Sequence, residues 1–253
     1  MDLDTFGNIT ADGKILGRGA SDTKGPMASM LQALSNCQDI LAELPVAVDF
    51  IGFMGEEASQ HGSKHFAANH ASDYAFAIAG EPTSLDIVHV TRGSLWATLT
   101  ATGKAAHASQ PEKGENAIMK LARALDQLEQ KLTPALAKFT HPVLGHSTLN
   151  VGTINGGKQP NIVPDAAKAQ IDIRTTPSLH DDIGAQGLVE NLITKLKLPI
   201  KLVNPHPNPP MDVPADNPWI QKLIAANPAS QAVGAPWFSY SIHSKAASNP
   251  CSS

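Results

Sequence analysis

Apolar and polar positions change period along this chain, and the changes mark its elements. Met27, Met30, Leu31 and Leu34 recur at helical spacing after a glycine-rich turn, so a helix is expected there. Val46 to Met54 is a continuous apolar run of strand length and predicts a central buried strand, followed by a helix carrying Lys64, Phe66 and Ala67. Tyr74 to Ala79 predicts a second buried strand. At the amino end, Asp12-Gly13 reads as a tight turn between two short extended pieces. From Val88 the texture changes. Strand patterns at Val88 to Ala101, Thr148 to Ile154, Ala169 to Arg174 and Pro199 to Val203 alternate with helix patterns at Glu115 to Lys131 and Asp181 to Leu196. The order β-α-β-β-α-β is the split βαβ, ferredoxin-like arrangement, a two-layer α+β unit able to bury its own core. Asn204 to Pro210 is so rich in proline that it reads as a link, neither helix nor central strand. Trp219 to Ala226 predicts one further helix, and residues 241 to 253 offer no core face and are expected to be a poorly ordered tail.

Composition narrows the possible chemistry. With 253 residues, 42% hydrophobic and 17% charged, the chain has the make-up of an ordinary globular protein of one large or two smaller domains. Its 19 basic and 23 acidic residues leave a net charge of -4 with no basic block, which argues against nucleic acid and anionic membrane as partners and favours a small molecule. Cys37 and Cys251 lie far apart and form no metal-ligand pattern, as expected for reduced thiols in the cytosol. No apolar run approaches the ~20 residues of a membrane span. The acidic start Met-Asp-Leu-Asp is unlike a signal peptide, so a cytoplasmic protein is expected.

Three predicted strand or turn ends carry acids: Asp22 after the Gly17 to Ser21 turn, Glu56-Glu57 after Gly55, and Glu81 after Gly80. Ligands bind at the carboxyl ends of strands in open α/β sheets, and converging hard carboxylates suit a divalent metal. Of two neighbouring acids, one can ligate a cation while the next shuttles a proton. Each also has a plainer reading: Asp22 as a helix cap and Glu56-Glu57 as a solvated strand end. The glycine-rich turn lacks the Gly-x-x-x-x-Gly-Lys-Ser/Thr order and is no phosphate loop. His61 and His65 stand at i, i+4, a spacing that can hold a metal but equally suits solvated helix histidines.

Five stretches together resemble the di-zinc metallopeptidase family of acetylornithine deacetylase, succinyl-diaminopimelate desuccinylase, aminoacylase and glutamate carboxypeptidase. They are Gly17 to Gly25, Gly55-Glu56-Glu57, Gly80-Glu81-Pro82, Gly103 to Ser109 with His107, and Asn161 to Asp165 with Asp172-Ile173-Arg174. The resemblance implies that Asp22 bridges two zinc ions, that Glu57 and Glu81 each ligate one, and that Glu56 is the general base. It implies that His107, reaching a partner subunit's site, steadies the oxyanion, and that Asn161 and Arg174 bind a substrate carboxylate. For Arg174 a salt bridge to Asp172 or another neighbour is the structural alternative. The family's His-x-Asp motif on an early strand and its late zinc-ligating histidine have no counterpart here. Tyr240 stands where an aspartate is usual, and His243 lies in the expected tail. The chain is therefore expected to be truncated at both ends, with an exposed apolar edge on its catalytic sheet.

The expected architecture is α/β: an incomplete zinc-hydrolase domain over 1 to 88 and 204 to 253, interrupted by a ferredoxin-like lid and dimerisation domain over 89 to 203. The implied function is metal-dependent hydrolysis of an amide bond in an N-acyl amino acid or small peptide by a homodimer. A catalytically silent, dimerising fragment is the alternative. Three carboxylates without the family's histidines suit magnesium or calcium better than zinc, so weak zinc binding and poor turnover are expected of the chain as it stands.

Overall fold

The computed structural model describes residues 7–10, 12–56 and 60–237. The chain divides into two compact units. Among the described residues, the first runs to Ile87 and takes in Leu223–Gln231, and the second is Val88–Lys222 with residues 232–237.

In the first unit, β1 (Asn8–Ile9) and β2 (Ile15–Leu16) form a small antiparallel hairpin. Gly13 sits in its turn at φ +81°, the left-handed region that favours glycine, as the Asp12-Gly13 pair predicted. Helix α1 (Lys24–Asn36) follows the glycine-rich turn, with Gly25-Pro26 in its first turn, where a missing N–H costs nothing. It buries no residue fully, and α2 (Gln38–Leu41) continues from it. Helix α3 (His61–His70) carries Lys64, Phe66 and Ala67 as expected.

The two buried strands expected in this unit are not there. Val46 to Met54 and Tyr74 to Ala79 belong to no strand, and Val46, Val48 and Ile78 are half or more exposed. A strand is stable when neighbours complete its ladder, and among the described residues these two segments have no such neighbours. Side chains hold them instead: Phe66 of α3 stacks at 5.3 Å on Phe53 and at 5.4 Å on Tyr74, and the Tyr74 hydroxyl donates to Asp49 Oδ2 at 2.5 Å.

The second unit contains the hydrophobic core. Its first elements are β3 (Ile87–Thr91), β4 (Gly93–Thr102), α4 (Ala117–Leu136), the hairpin of β5 (Thr140–His141) and β6 (Gly145–His146), and β7 (Thr148–Gly156). Then follow β8 (Ala166–Thr175), α5 (Pro177–Asp181), α6 (Gly184–Lys195), β9 (Lys201–Asn208), β10 (Met211–Asp212), α7 (Pro218–Ala226), which belongs to this unit through Lys222, and β11 (Ala232–Ala235). The main sheet is antiparallel in the order β7-β8-β4-β9, the ferredoxin-like order that the β-α-β-β-α-β pattern predicted. Alternation assigns its faces: Leu95, Ala97, Leu99 and Ala101 of β4 and Ala167, Ala169, Ile171 and Ile173 of β8 point to the core. Helix α4 answers with Leu121, Ala124, Leu128, Leu132 and Leu136, a stripe at helical spacing, and α6 adds Ala185 and Val189. Asn116 caps α4, its side chain accepting from the Met119 N–H at 3.0 Å.

Three differences from the sequence reading are local. The expected strand Val88 to Ala101 breaks at Arg92 into β3 and β4, which lie in different sheets. Gly93 permits the break: a Cβ there would stand 2.5 Å from both Asn208 O and Thr175 Oγ1. The expected helix Asp181 to Leu196 is α6, which begins three residues later, at Gly184 with φ +70°, after the separate short helix α5 ends at Asp181. The proline-rich link is strand through Asn208, because β9 lies at the sheet edge, where a missing N–H is tolerated. The expected boundary at 203 thus falls inside a strand. The expected tail lies outside the described residues.

Candidate functional site

Candidate site residues lie in each of the two units. In the first, Asp22 is exposed on the turn before α1, and the Asp22–Thr23 peptide bond is cis. Thr23, not Asp22, occupies the helix N-cap position, so the capping reading of Asp22 does not hold. The Thr23 hydroxyl donates to Gly80 O at 2.5 Å, and Gly80 lies so close to α1 that a Cβ on it would stand 3.0 Å from Met30 Cε and 3.1 Å from Pro26 Cβ. The acid-bearing turns Asp22-Thr23 and Gly80-Glu81 are thereby tied together, although 57 residues separate the bonded groups in sequence. Glu81 and Glu56 are half-buried. Gly55, at φ +76°, turns the chain at Glu56, and the Gln60 N–H closes that turn onto Gly55 O at 2.7 Å. Glu57 lies outside the described residues.

In the second unit, two loops meet in a short antiparallel bridge between His107 and Ile162. The Ala108 N–H donates to Asn161 O at 3.0 Å, and the Val163 N–H donates to Ala106 O at 2.8 Å, so the backbones bearing His107 and Asn161 are held together. The His107 ring is exposed, and its Nδ1 lies 2.7 Å from Ser109 Oγ and accepts from the Ser109 N–H at 3.2 Å. Beside these loops a cavity of about 550 Å³ is lined by Pro111, Ile118, Lys158 and Pro164, among others.

Arg174 stands on the open face of the main sheet, opposite the core, in register with Ser94 on one side and Thr148 on the other. Its Nε and Nη2 donate to Asp172 Oδ2 at 3.1 and 2.8 Å, which is the salt bridge the sequence offered as the structural alternative. Among the described residues, the second Asp172 oxygen is buried without a hydrogen-bond partner. Arg92 is close enough to Arg174 to feel its charge. Burial first, and then the Arg174 charge, lower the Arg92 pKa, while its guanidinium donates to His146 O at 2.6 Å and to Leu144 O. The sequence reading missed Thr23, Ser109 and Arg92, whose roles depend on partners in space. Only Ser109, two residues after His107, left a local signal.

Residues 90–198 match the peptidase dimerisation domain, and residues 3–133 match peptidase family M28. A probable succinyl-diaminopimelate desuccinylase of Staphylococcus epidermidis is 30% identical over 241 residues, covering 86% of this chain and 59% of the relative. Acetylornithine deacetylase of Proteus mirabilis is 34% identical over 178 residues, covering 70% of this chain and 46% of the relative. The chain belongs to the metallopeptidase family of these deacylases. It spans 59% of the first relative's length and 46% of the second's. The fold of this chain is that of an M20 family metallo-carboxypeptidase from Sulfolobus solfataricus, with a TM-score of 0.70 at 17% identity over 93% of this chain and 68% of the other. Aminopeptidase PepT from Bacillus cereus gives 0.67 at 21% identity, over 98% and 66%.

Membership implies a divalent metal, and the donor chemistry fits in part. Asp22 and Glu81 are hard oxygen donors on turns tied to each other. Among the described residues no three His, Cys, Asp or Glu side chains gather into a metal cluster, so a full shell needs donors besides these two. His61 and His65 are exposed on α3 and belong to no such cluster. No helix among the described residues is long and apolar enough to cross a membrane.

Proposed function

We propose that the protein hydrolyses amide bonds in N-acyl amino acids or small peptides with zinc as its metal, in a catalytic domain over 1 to 88 and 204 to 253. The observation that carries this reading is the Thr23 to Gly80 hydrogen bond, which ties the turns bearing two of the proposed ligands. Asp22, Glu57 and Glu81 would hold the metal, which supplies an acidified water and polarises the amide carbonyl. Glu56, next to a proposed ligand in sequence, takes the proton from the attacking water and returns it to the leaving amine. His107 donates to the carbonyl oxygen as negative charge builds on it. Arg174, with Asn161, binds the substrate carboxylate, whose two oxygens a guanidinium fork matches. In this reading the lid, residues 89 to 203, pairs two copies into a homodimer and presents His107 to the partner's site. The relatives' names as deacylases and the match to the dimerisation domain support these assignments.

One observation favours a second reading, a catalytically silent dimerising module. The main hydrophobic core cluster lies wholly in the second unit, whereas Val46, Val48, Ile51 and Ile78 of the first are exposed. Metal content and turnover separate the two. Zinc near two per chain, with N-acyl amino acid hydrolysis abolished by a chelator, is the enzyme's signature. Metal-free, inactive protein purified from zinc-supplemented cells is the module's.

A further inference from the structure

We propose that Ser109 is a positioning residue that fixes the tautomer of His107, so that Nε2 carries the proton and is the ring's only donor. The Ser109 backbone N–H points to His107 Nδ1 at 3.2 Å, and an amide N–H can only donate. Nδ1 therefore presents its lone pair. The Ser109 hydroxyl, 2.7 Å from the same nitrogen, donates to that lone pair as well. A neutral imidazole has one N–H, which must then sit on Nε2.

The backbone around the ring is equally constrained. The His107 to Ile162 bridge, the Ala108 N–H on Asn161 O at 3.0 Å and the Gln110 N–H on His107 O at 2.9 Å hold the loop on both sides of the histidine. The Nε2–H edge of an exposed ring is thus set as a donor, and its complement is an oxygen acceptor that gains negative charge. The same arrangement keeps His107 from ligating a metal, because one lone pair is engaged and the other nitrogen is protonated. The inference deepens the proposed function and rests on it for the identity of the acceptor; the tautomer can be read without any turnover.

The test uses the full chain labelled with ¹⁵N-histidine. Two-bond ¹H–¹⁵N correlations of the neutral imidazoles report which nitrogen is protonated, and loss of one ring's signals in His107→Gln assigns His107 among the 10 histidines. Wild-type His107 should be in the Nε2–H form. Ser109→Ala should move the tautomer ratio about fivefold toward Nδ1–H, the worth of one hydrogen bond, and Ser109→Thr, which keeps the hydroxyl, should restore it. A His107 that is Nδ1–H in the wild-type chain, or a ratio unmoved by Ser109→Ala, overturns the inference even if amide hydrolysis is found. A chain without hydrolysis but with the expected tautomer pattern overturns the proposed function and leaves Ser109's role standing.

Discussion

Glu56 and Glu57 are adjacent in sequence but are assigned different work, and substitution separates base from ligand. In the proposed enzyme, Glu56→Gln should keep its metal and lose about 10²- to 10⁴-fold in turnover, the usual worth of general-base catalysis. Glu57→Gln should lose metal as well, which atomic absorption on both variants would reveal. Equal metal loss in the two would invert the assignment. Arg174 is oriented by Asp172, which takes its Nε and Nη2 edge. Lysine cannot reproduce that fork. Arg174→Lys should therefore raise KM for carboxylate-bearing substrates by about tenfold or more, since hydrogen bonds to charged groups are worth roughly 1.5–3 kcal/mol, with kcat changed far less. A fall in kcat at constant KM would remove Arg174 from substrate binding.

Helix α4 and strand β8 give the second unit its stability, since each places a regular apolar series on one face. Leu121→Ala or Ile173→Ala, at sites with no exposure, should cost about 2–5 kcal/mol through lost burial and the cavity left behind. Asn116→Ala, which removes only a cap, should cost about 1 kcal/mol. Urea titration of the three variants should give that ranking. At the start of α4, a hydrogen bond from Lys120 lowers the pKa of Glu115 below its ordinary 4.5. A carboxylate with a depressed folded pKa stabilises the fold above its unfolded pKa, and that contribution disappears as pH falls through the folded value. The urea midpoints of wild type and Lys120→Met should accordingly converge as pH drops below about 4.5. Strand β9 illustrates how position decides an element: Pro205 and Pro207 are compatible with pairing to β4 only because β9 is an edge.

The molecule as a whole presents two unlike surfaces. The second unit ends on one side at β7, whose residues are nearly all exposed, and an unprotected edge strand is a template for pairing with another chain. In the proposed homodimer this edge is part of the contact. Val151→Lys, in the middle of β7, should then shift sedimentation of the full chain from dimer to monomer, because a charge on an edge blocks strand pairing. A wild-type chain that sediments as a monomer at high concentration would rule out dimerisation through the lid. The first unit exposes apolar side chains along both extended segments, so it is the part from which association and aggregation at high concentration should start.

Periodicity determined the second unit. Leu95, Leu99, Ile171 and Ile173 alternate strictly, Leu121, Leu128 and Leu132 recur at helical spacing, and one strand order and one core satisfy both patterns. Four of the five motif stretches were legible for a similar reason, since each is a short run in which glycine lies close to an acid or a histidine. Tertiary structure decided what local pattern leaves open. Val46 to Met54 has the composition of a central strand, yet a strand is completed by neighbours, and none pairs with it among the described residues. The tie from Thr23 to Gly80 and the bridge between His107 and Ile162 depend on which segments meet in space. Hydrogen bonds have a reach of about 3 Å, and between distant segments only the folded chain determines which groups come within it.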